Sequence, residues 1–333
     1  MARTHRGPSM HDVAARAGVS HQTVSRVLND FEGIRPATRE RVLEAIDELG
    51  YRRNLAARAL VTGRTQTIGM IGPGNPDIGP LSTLHAVERA ARGAGLHTMM
   101  TSAGADSDSV REALDFLVGR GVDAIALVAQ QVSVREALDG YDPGVPVVHL
   151  LTGGEPEGQA ASIDQRAGVR LAIEHLVAHG HSRIQHVAGP QTYAEAQLRR
   201  DEFAAELDRR GLPALEILEG DWSTDSGFAA GLALDRTATA VLCGNDEMAV
   251  GLIHALTSAG RSVPDDVSVV GYDNIAAARH SLPPLTSVSQ DFEAVGKRAV
   301  ELIVAAIAGV TPSHSELIAP TLVERSSVAA PHA

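Results

Sequence analysis

"MHDVAARAGVSHQTVSRVLN", residues 10–29, decides how the amino-terminal part of this chain is read. Ser9 stands just before it with Asp12 three residues on, a capping-box arrangement that starts a helix. Val13, Ala14 and Ala17 form one apolar edge, and Gly18 supplies a tight stop. Ser20 can then cap a second helix across His21–Asn29, in which Val24, Val27 and Leu28 recur at helical spacing and face a core. Two short helices split by a glycine turn, with small alanines where they cross, predict a helix-turn-helix.

The exposed face of the second helix follows by subtraction. His21 and Gln22 sit in its first turn, and Arg26 lies four residues beyond Gln22 on the same face. A helix entering the major groove presents its first turn to the base edges, where Gln pairs with adenine and Arg with guanine. Ser20, Thr23, Ser25 and Asn29 are short donors suited to phosphate oxygens. The competing reading is a solvated polar helix. Pro36 suits the first turn of a third helix, with Val42, Ile46 and Leu49 as its stripe, Gly50 as its end and Tyr51 closing the small core. These elements place a head at residues 9–53.

Residues 54–66 begin "NLAARAL", about two turns of helix former, too short to hold alone in water. They fold only against a partner, DNA or the same segment of a second subunit. Leu60 is either a wedge pushed between base steps in the minor groove or an ordinary linker leucine.

Charge divides the chain in the same way. The whole of its 333 residues carries −12. Residues 1–66 hold 11 arginines against 7 acids, +4, which leaves −16 for the remainder. A basic head on an acidic body suggests that only the head meets a polyanion. Hydrophobic residues at 44% suffice for a large core, and no apolar run approaches the roughly 20 residues that span a bilayer. The amino terminus has no apolar stretch of the signal-peptide kind, so the expected compartment is the cytoplasm. Cys243, the single cysteine, lies in the apolar run "TAVLCG" and reads as a buried small side chain.

From Thr67 the texture changes to short apolar runs alternating with amphipathic segments. "TIGMIG", "LHTMMTS", "VDAIALVA", "VPVVHLL", "RIQHVAG", "TAVLCG" and "DVSVVGYD" read as strands. Between them fall helices at Leu81–Gly93, Ser109–Val118, Gln165–His179, Glu195–Arg210 and Asp246–Ala259. This βαβ alternation predicts parallel sheet covered on both faces, and it runs twice, with a break near "TGGEPEGQAASID". Two doubly wound lobes place a ligand cleft at the carboxyl ends of their strands. Asn245-Asp246, Asp273 and Gln290-Asp291 stand just past such ends. The phosphate-binding glycine motifs, a Walker A lysine and a G-x-S-x-G elbow are all missing. "HLVAHGH" (His175, His179, His181) has no carboxylate or cysteine at ligand spacing and reads as a polar helix end. No cofactor and no metal are expected.

Seven stretches in order are recognisable: the recognition segment above, "NLAARAL", "GHSRIQHVAGP", "GDWSTDSGF", "CGNDEMAVG", "DVSVVGYDN" and "PPLTSVSQDF". Together they resemble the LacI/GalR family of transcription repressors across about residues 10–329. The resemblance implies a small all-α helix-turn-helix head and an α/β body of two doubly wound parallel-sheet lobes, periplasmic-binding-protein-like. The first lobe would comprise about residues 67–163 and 291–320, the second about 164–290 and 321–329, with 330–333 as a tail. It implies that His21, Gln22 and Arg26 read bases, and that Leu60 wedges the centre of a palindromic operator with Ala57 beside it. In the cleft it implies that Arg199 clamps sugar hydroxyls and Trp222 stacks on a sugar face. Asn245, Asp273 and Gln290 would bind hydroxyls, and Phe292 would be a cleft aromatic.

The chain departs from the pattern in places. "GPGNPDIGP" stands where the member it looks most like has serines and a leucine. Val132 or Ser133 replaces an aspartate, with Gln130 or Gln131 as substitutes. The chain ends "LVERSSVAAPHA", without the leucine heptad of tetrameric members, so a homodimer is expected. The resemblance implies a repressor of double-stranded DNA controlled by a small sugar, a galactoside or other glycoside acting as inducer, with a corepressor as the alternative sign. A periplasmic-type receptor would need a signal peptide and no basic head. An enzyme would need an acid–base pair, for which Asp246 and Asp273 are the candidates.

Overall fold

Caps and glycine stops set the boundaries of the head. In the computed structural model, Ser9 N donates to Asp12 Oδ2 at 2.7 Å and Asp12 N returns a bond to Ser9 Oγ, so both halves of the capping box form. Helix α1 (Met10–Ala17) ends at Gly18 in the left-handed conformation, φ 63°. Ser20 Oγ accepts from Thr23 N at the start of α2 (His21–Leu28), and α3 runs Pro36–Leu49. Val13, Ala14, Ala17, Val24, Val27, Val42, Ala45 and Tyr51 form the core. Val42 and Ala45 take the buried positions on α3, while Ile46 and Leu49 pack at the margin.

The structure describes residues 7–52, 59, 63–74, 77–104, 106–128, 131, 133–134, 138, 140–152, 159–310 and 317–332. Two compact units divide the chain, Met1–Thr65 and Gln66–Ala333.

The larger unit holds two sheets. The first joins β1 (Thr67–Pro73), β2 (His97–Ala103), β3 (Ala124–Val128), β4 (Val147–Leu150) and β5 (Ala160–Ala161) in the order β2-β1-β3-β4-β5, all parallel. Helices α4 (Ile78–Gly93) and α5 (Ser107–Gly119) cover it. The second contains β6 (Ile184–Ala188), β7 (Leu218–Glu219), β8 (Ala240–Cys243), β9 (Ser268–Asp273), β10 (Thr286–Ser289) and β11 (Thr321–Val323), in the order β11-β10-β9-β8-β6-β7. Its helices are α6 (Gln165–Ala178), α7 (Ala194–Arg210), α8 (Thr224–Leu232) and α9 (Asp246–Ser258). Burial at every position of β3, β6 and β8 marks both sheets as covered on two faces, which explains the uninterrupted apolar runs of β3 and β8 in the sequence.

The all-parallel expectation fails at one edge: β11 runs antiparallel to β10, since a chain returning from the first lobe enters that edge from the opposite end. Two helices go beyond the pattern reading. Helix α10 (Phe292–Ile307) returns to the first lobe and buries Val295, Ala299, Leu302 and Ile303 with Ile68, Ala124 and Val148. Helix α8 has no apolar stripe. It buries Gly227, Ala230 and Gly231 instead, and a methyl on Gly227 would lie 2.5 Å from Met248 Cα of α9, so the two helices meet backbone to backbone. Chain crossings join the lobes side by side. At one, Ile318 N donates to Ser162 O at 2.9 Å and Asp164 N donates to Ile318 O at 2.9 Å.

Candidate functional site

Helix α2 turns Val24 and Val27 inward and leaves His21, Gln22 and Arg26 exposed. Ser20 and Asn29 are also exposed, and Thr23 and Ser25 are half-buried. Several of these are already organised by neighbours. The His21 ring stacks on His11 at 4.6 Å, and the Arg26 guanidinium lies 5.3 Å from the centre of the Phe31 ring. Thr23 Oγ1 and Ser20 Oγ share a hydrogen bond at 2.9 Å, and Asn29 Nδ2 donates to Ser25 O. A guanidinium braced on an aromatic face loses less rotamer freedom on docking. Neither His11 nor Phe31 is legible from the sequence pattern, because neither shares helical spacing with the residue it supports. Ala57 and Leu60 lie outside the described residues.

The second site lies at the carboxyl ends of the strands. From the first lobe come Asp77, which precedes α4, and Ile78, Gly79 and Pro80 of its first turn. The second lobe supplies Tyr193, Glu195 and Arg199 after β6, Trp222 after β7, Asn245 and Glu247 after β8, Asp273 at the end of β9 and Gln290 after β10. Five of the six cleft residues expected from the sequence therefore converge. Phe292 is the exception. It sits at the start of α10, half-buried against the first-lobe core, and is absent from the described lining, because α10 turns toward its own sheet.

Arg199 is 4% exposed and tightly held. Its Nε donates to Gln165 Oε1 at 2.9 Å and Nη1 to Gly244 O at 2.5 Å, while its guanidinium packs 3.8 Å from the centre of Tyr272. Gln165 Nε2 donates onward to Glu195 Oε1 at 3.0 Å and to Gln290 Oε1 at 2.8 Å. Gln290 Nε2 in turn donates to Asp273 Oδ1 at 2.5 Å. Gln165, whose role spacing alone does not reveal, is the hub that ties these groups together.

Burial pushes Asp273 up to about 6, against the pull of Arg199 and the Gln290 hydrogen bond. Burial likewise raises Glu247, with the charge of Asp77 adding to it. Asn245 caps α9 through Met248 N and donates from Nδ2 to Trp222 O at 2.9 Å. Trp222 and Asp273 both hold left-handed backbone, φ 74° and φ 100°, a strain that non-glycine residues adopt where the surroundings enforce it. Gly189, at the end of "HVAG", makes room for the indole, since a methyl there would overlap three of its ring atoms.

Asp246 is not part of the lining. It is wholly buried, accepts from Ser287 Oγ at 2.6 Å and Ile275 N at 2.8 Å, and is pushed up to about 7 chiefly by burial. Its hydrogen bonds hold the loop after β9. The histidines of "HLVAHGH" are likewise engaged within the second lobe: His179 bonds His175 O, and the buried His181 bonds Thr239, Ser268 and Ala329.

The cleft has a volume of about 40 Å³, and a second cavity of about 200 Å³ opens at the ends of β1 and β3. That larger cavity is walled by Ile71, Val110, Leu127 and Val134, with Gln131 and Tyr193 at its edge. Tyr193 borders both spaces and ties the lobes together. Its backbone bridges to Gln131, and its hydroxyl donates to Asp77 Oδ2 at 3.4 Å.

Residues 9–54 match the family described as bacterial regulatory proteins, lacI family, and residues 173–328 match the periplasmic binding protein-like domain. The transcriptional regulator CelR of Thermobifida fusca is 35% identical over 336 residues, covering 95% of this chain and 96% of that one. The chain belongs to the LacI family. Its helix-turn-helix is therefore a DNA-binding head, and the protein is a transcriptional regulator. A crystal structure of the lac repressor dimer bound to operator and the anti-inducer ONPF matches with a TM-score of 0.87 and 30% identity, over 98% of this chain and 100% of that one. A structure of the CelR–cellobiose complex matches at TM-score 0.71 and 33% identity, over 96% of this chain and 99% of that one.

Proposed function

We propose that this LacI-family regulator is a homodimeric repressor of a palindromic operator, released when a small saccharide binds between the lobes of the body. The single observation that carries the reading is the convergence of Arg199, Trp222, Asn245, Asp273 and Gln290 on one cleft at the strand ends of the second lobe, closed over by Asp77–Pro80 of the first. Amides and carboxylates exchange hydrogen bonds with hydroxyls, an indole covers the apolar face of a sugar ring, and a site built to pair a hydroxyl rejects analogues lacking it. His21, Gln22 and Arg26 are the base readers. Ser20, Thr23, Ser25 and Asn29 serve the backbone, and Ala57 and Leu60 belong to a hinge over residues 54–66.

Domain boundaries follow the same reading, with the head at 9–53 and two lobes exchanging the chain near residues 163, 290 and 320. The protein works in the cytoplasm, where its operator is, and catalyses no reaction. The resolved dimer and the cellobiose complex of its relatives support the assembly and the ligand class.

With the lobes as they stand the cleft is narrow, about 40 Å³, and parting of the lobes makes room for a sugar. A ligand preferring the parted arrangement shifts the population by the ratio of its two affinities. Titrating mono- and disaccharides into an operator complex tests the reading: release supports an inducer, and tighter binding replaces it with a corepressor.

A further inference from the structure

The first-lobe cavity of about 200 Å³ takes no part in the reading above. It opens at the carboxyl ends of β1 and β3, which are neighbours in the order β2-β1-β3-β4-β5. From β1 the chain crosses to β2 on one side, and then to β3 on the other. The cavity therefore lies at the topological switch point of the sheet, the place where open α/β sheets hold ligands. Its walls Ile71, Val110, Leu127 and Val134 belong to one buried core cluster, so the space is preformed. Protein interiors leave few voids larger than a water molecule, and an apolar one of about 150 Å³ suffices for benzene. Such walls accept an aromatic ring and reject a charge or a ring of hydroxyls, which would be buried without partners. Gln131 and the backbone of Gly74 lie in the lining and offer hydrogen bonds to one polar group.

The remaining wall is Tyr193, the second lobe's contribution to the described lining and the residue it shares with the cleft. Its backbone bridge to Gln131 and its hydroxyl bond to Asp77 hold it on the first lobe at two points. A molecule in the cavity rests on that residue only in the arrangement of lobes seen here, since parting the lobes withdraws the wall. We infer that this cavity is a second ligand site, separate from the cleft, for a small uncharged aromatic of about the size of phenol. Resting on the effector reading above, its occupant holds the lobes together and opposes a saccharide that parts them.

Calorimetric titration of the full-length protein compares phenol with benzoate, a charged aromatic, and myo-inositol, a ring of hydroxyls. Phenol should bind once per chain, at least about tenfold tighter than either. Gly74→Leu and Val134→Phe fill the space from two walls, and each should abolish phenol binding. A methyl on Gly74 meets nothing within 4 Å and its backbone is not left-handed, so leucine is accommodated there; a melting curve like wild type confirms that each variant folds. Saturating phenol should raise the concentration at which a saccharide releases the operator by about fivefold or more, and leave it unchanged in the filled variants. No phenol binding, inositol or benzoate binding as tightly, or folded variants binding phenol like wild type overturns the site. Phenol bound without a change in the releasing concentration overturns the opposition. If no saccharide releases the operator, the effector reading fails and takes the opposition with it, while the site stands or falls on phenol and the two variants.

Discussion

Gly189→Ala isolates the part played by Trp222. Gly189 does not hold a left-handed φ, so its backbone accepts alanine. The added methyl would overlap Cη2, Cζ2 and Cζ3 of the indole. Carbon pairs settle at about 3.5–4.0 Å, so the ring must swing by more than about 1 Å. It cannot retreat behind the strand ends, because Gly244 is so close that a methyl there would lie 3.1 Å from Cζ3. The backbone of Trp222 is fixed by Asn245 Nδ2, which donates to its carbonyl at 2.9 Å. With Gly189 and Gly244 close behind it, the ring moves toward the cleft it already lines. Overpacking of this kind costs about 1–3 kcal/mol, which bounds the loss of thermal stability. A ring displaced into a cavity of about 40 Å³ also blocks the ligand, and the same 1–3 kcal/mol on binding is a loss of about 5- to 150-fold in affinity. Trp222 is the single tryptophan, so its emission reports the displacement directly. The expected result is a shift of emission toward longer wavelength together with weakened saccharide binding and unchanged operator binding. Emission and affinity both like wild type would refute the placement of the indole.

Arg26→Ala should weaken operator binding by about 1–3 kcal/mol and relax preference at one operator position, measured by selection from a randomised operator library; equal weakening on all sequences would make Arg26 a phosphate contact. Phe31→Ala, which removes the ring bracing Arg26, should produce a smaller loss of the same kind in the same selection. His186 is buried, bonds Leu242 O at 2.8 Å and is pushed down to about 4 by burial. Below its ordinary value near 6.5 the unfolded chain takes up a proton that the native ring refuses, so this group's stabilisation is present above about pH 6.5 and falls by about 3 kcal/mol as pH drops to about 4. Asp246 and Asp273, both pushed up, act in the opposite sense, so the comparison of wild type with His186→Phe across this range exposes the histidine; a difference in melting temperature that does not change with pH would contradict it.

Where one kind of residue does one job, the sequence is easy to read. Ser9 with Asp12 and Ser20 before a valine stripe define the recognition helix with its face, because caps and helical periodicity are local. The longer strands are plain as well, β3, β8 and β9 as apolar runs, whereas the two-residue β5 and β7 leave no run to read. Helix α8 is not, since its buried face is glycine and alanine and becomes intelligible only with α9 packed against it. The edge strand β11 depends on a chain crossing that no local pattern encodes. In the cleft, Arg199, Trp222, Asn245, Asp273 and Gln290 were legible through resemblance, and three of them through strand-end position as well. Gln165, Glu195 and Asp77 were not, because they lie on helices and turns whose spacing is ordinary and meet only in three dimensions. Phe292 shows the converse: a strand-end aromatic that the fold turns into its own lobe.

The central claim is that occupancy of the cleft sets the affinity of the head for DNA. Fluorescence anisotropy of a labelled operator, selected in vitro as a palindrome, measures it with wild type and Trp222→Ala side by side under a saturating saccharide effector. The account predicts that wild type releases the operator on adding effector, while Trp222→Ala binds DNA normally and responds only at much higher concentration. Operator affinity unchanged by a saccharide shown by calorimetry to fill the wild-type cleft would contradict it.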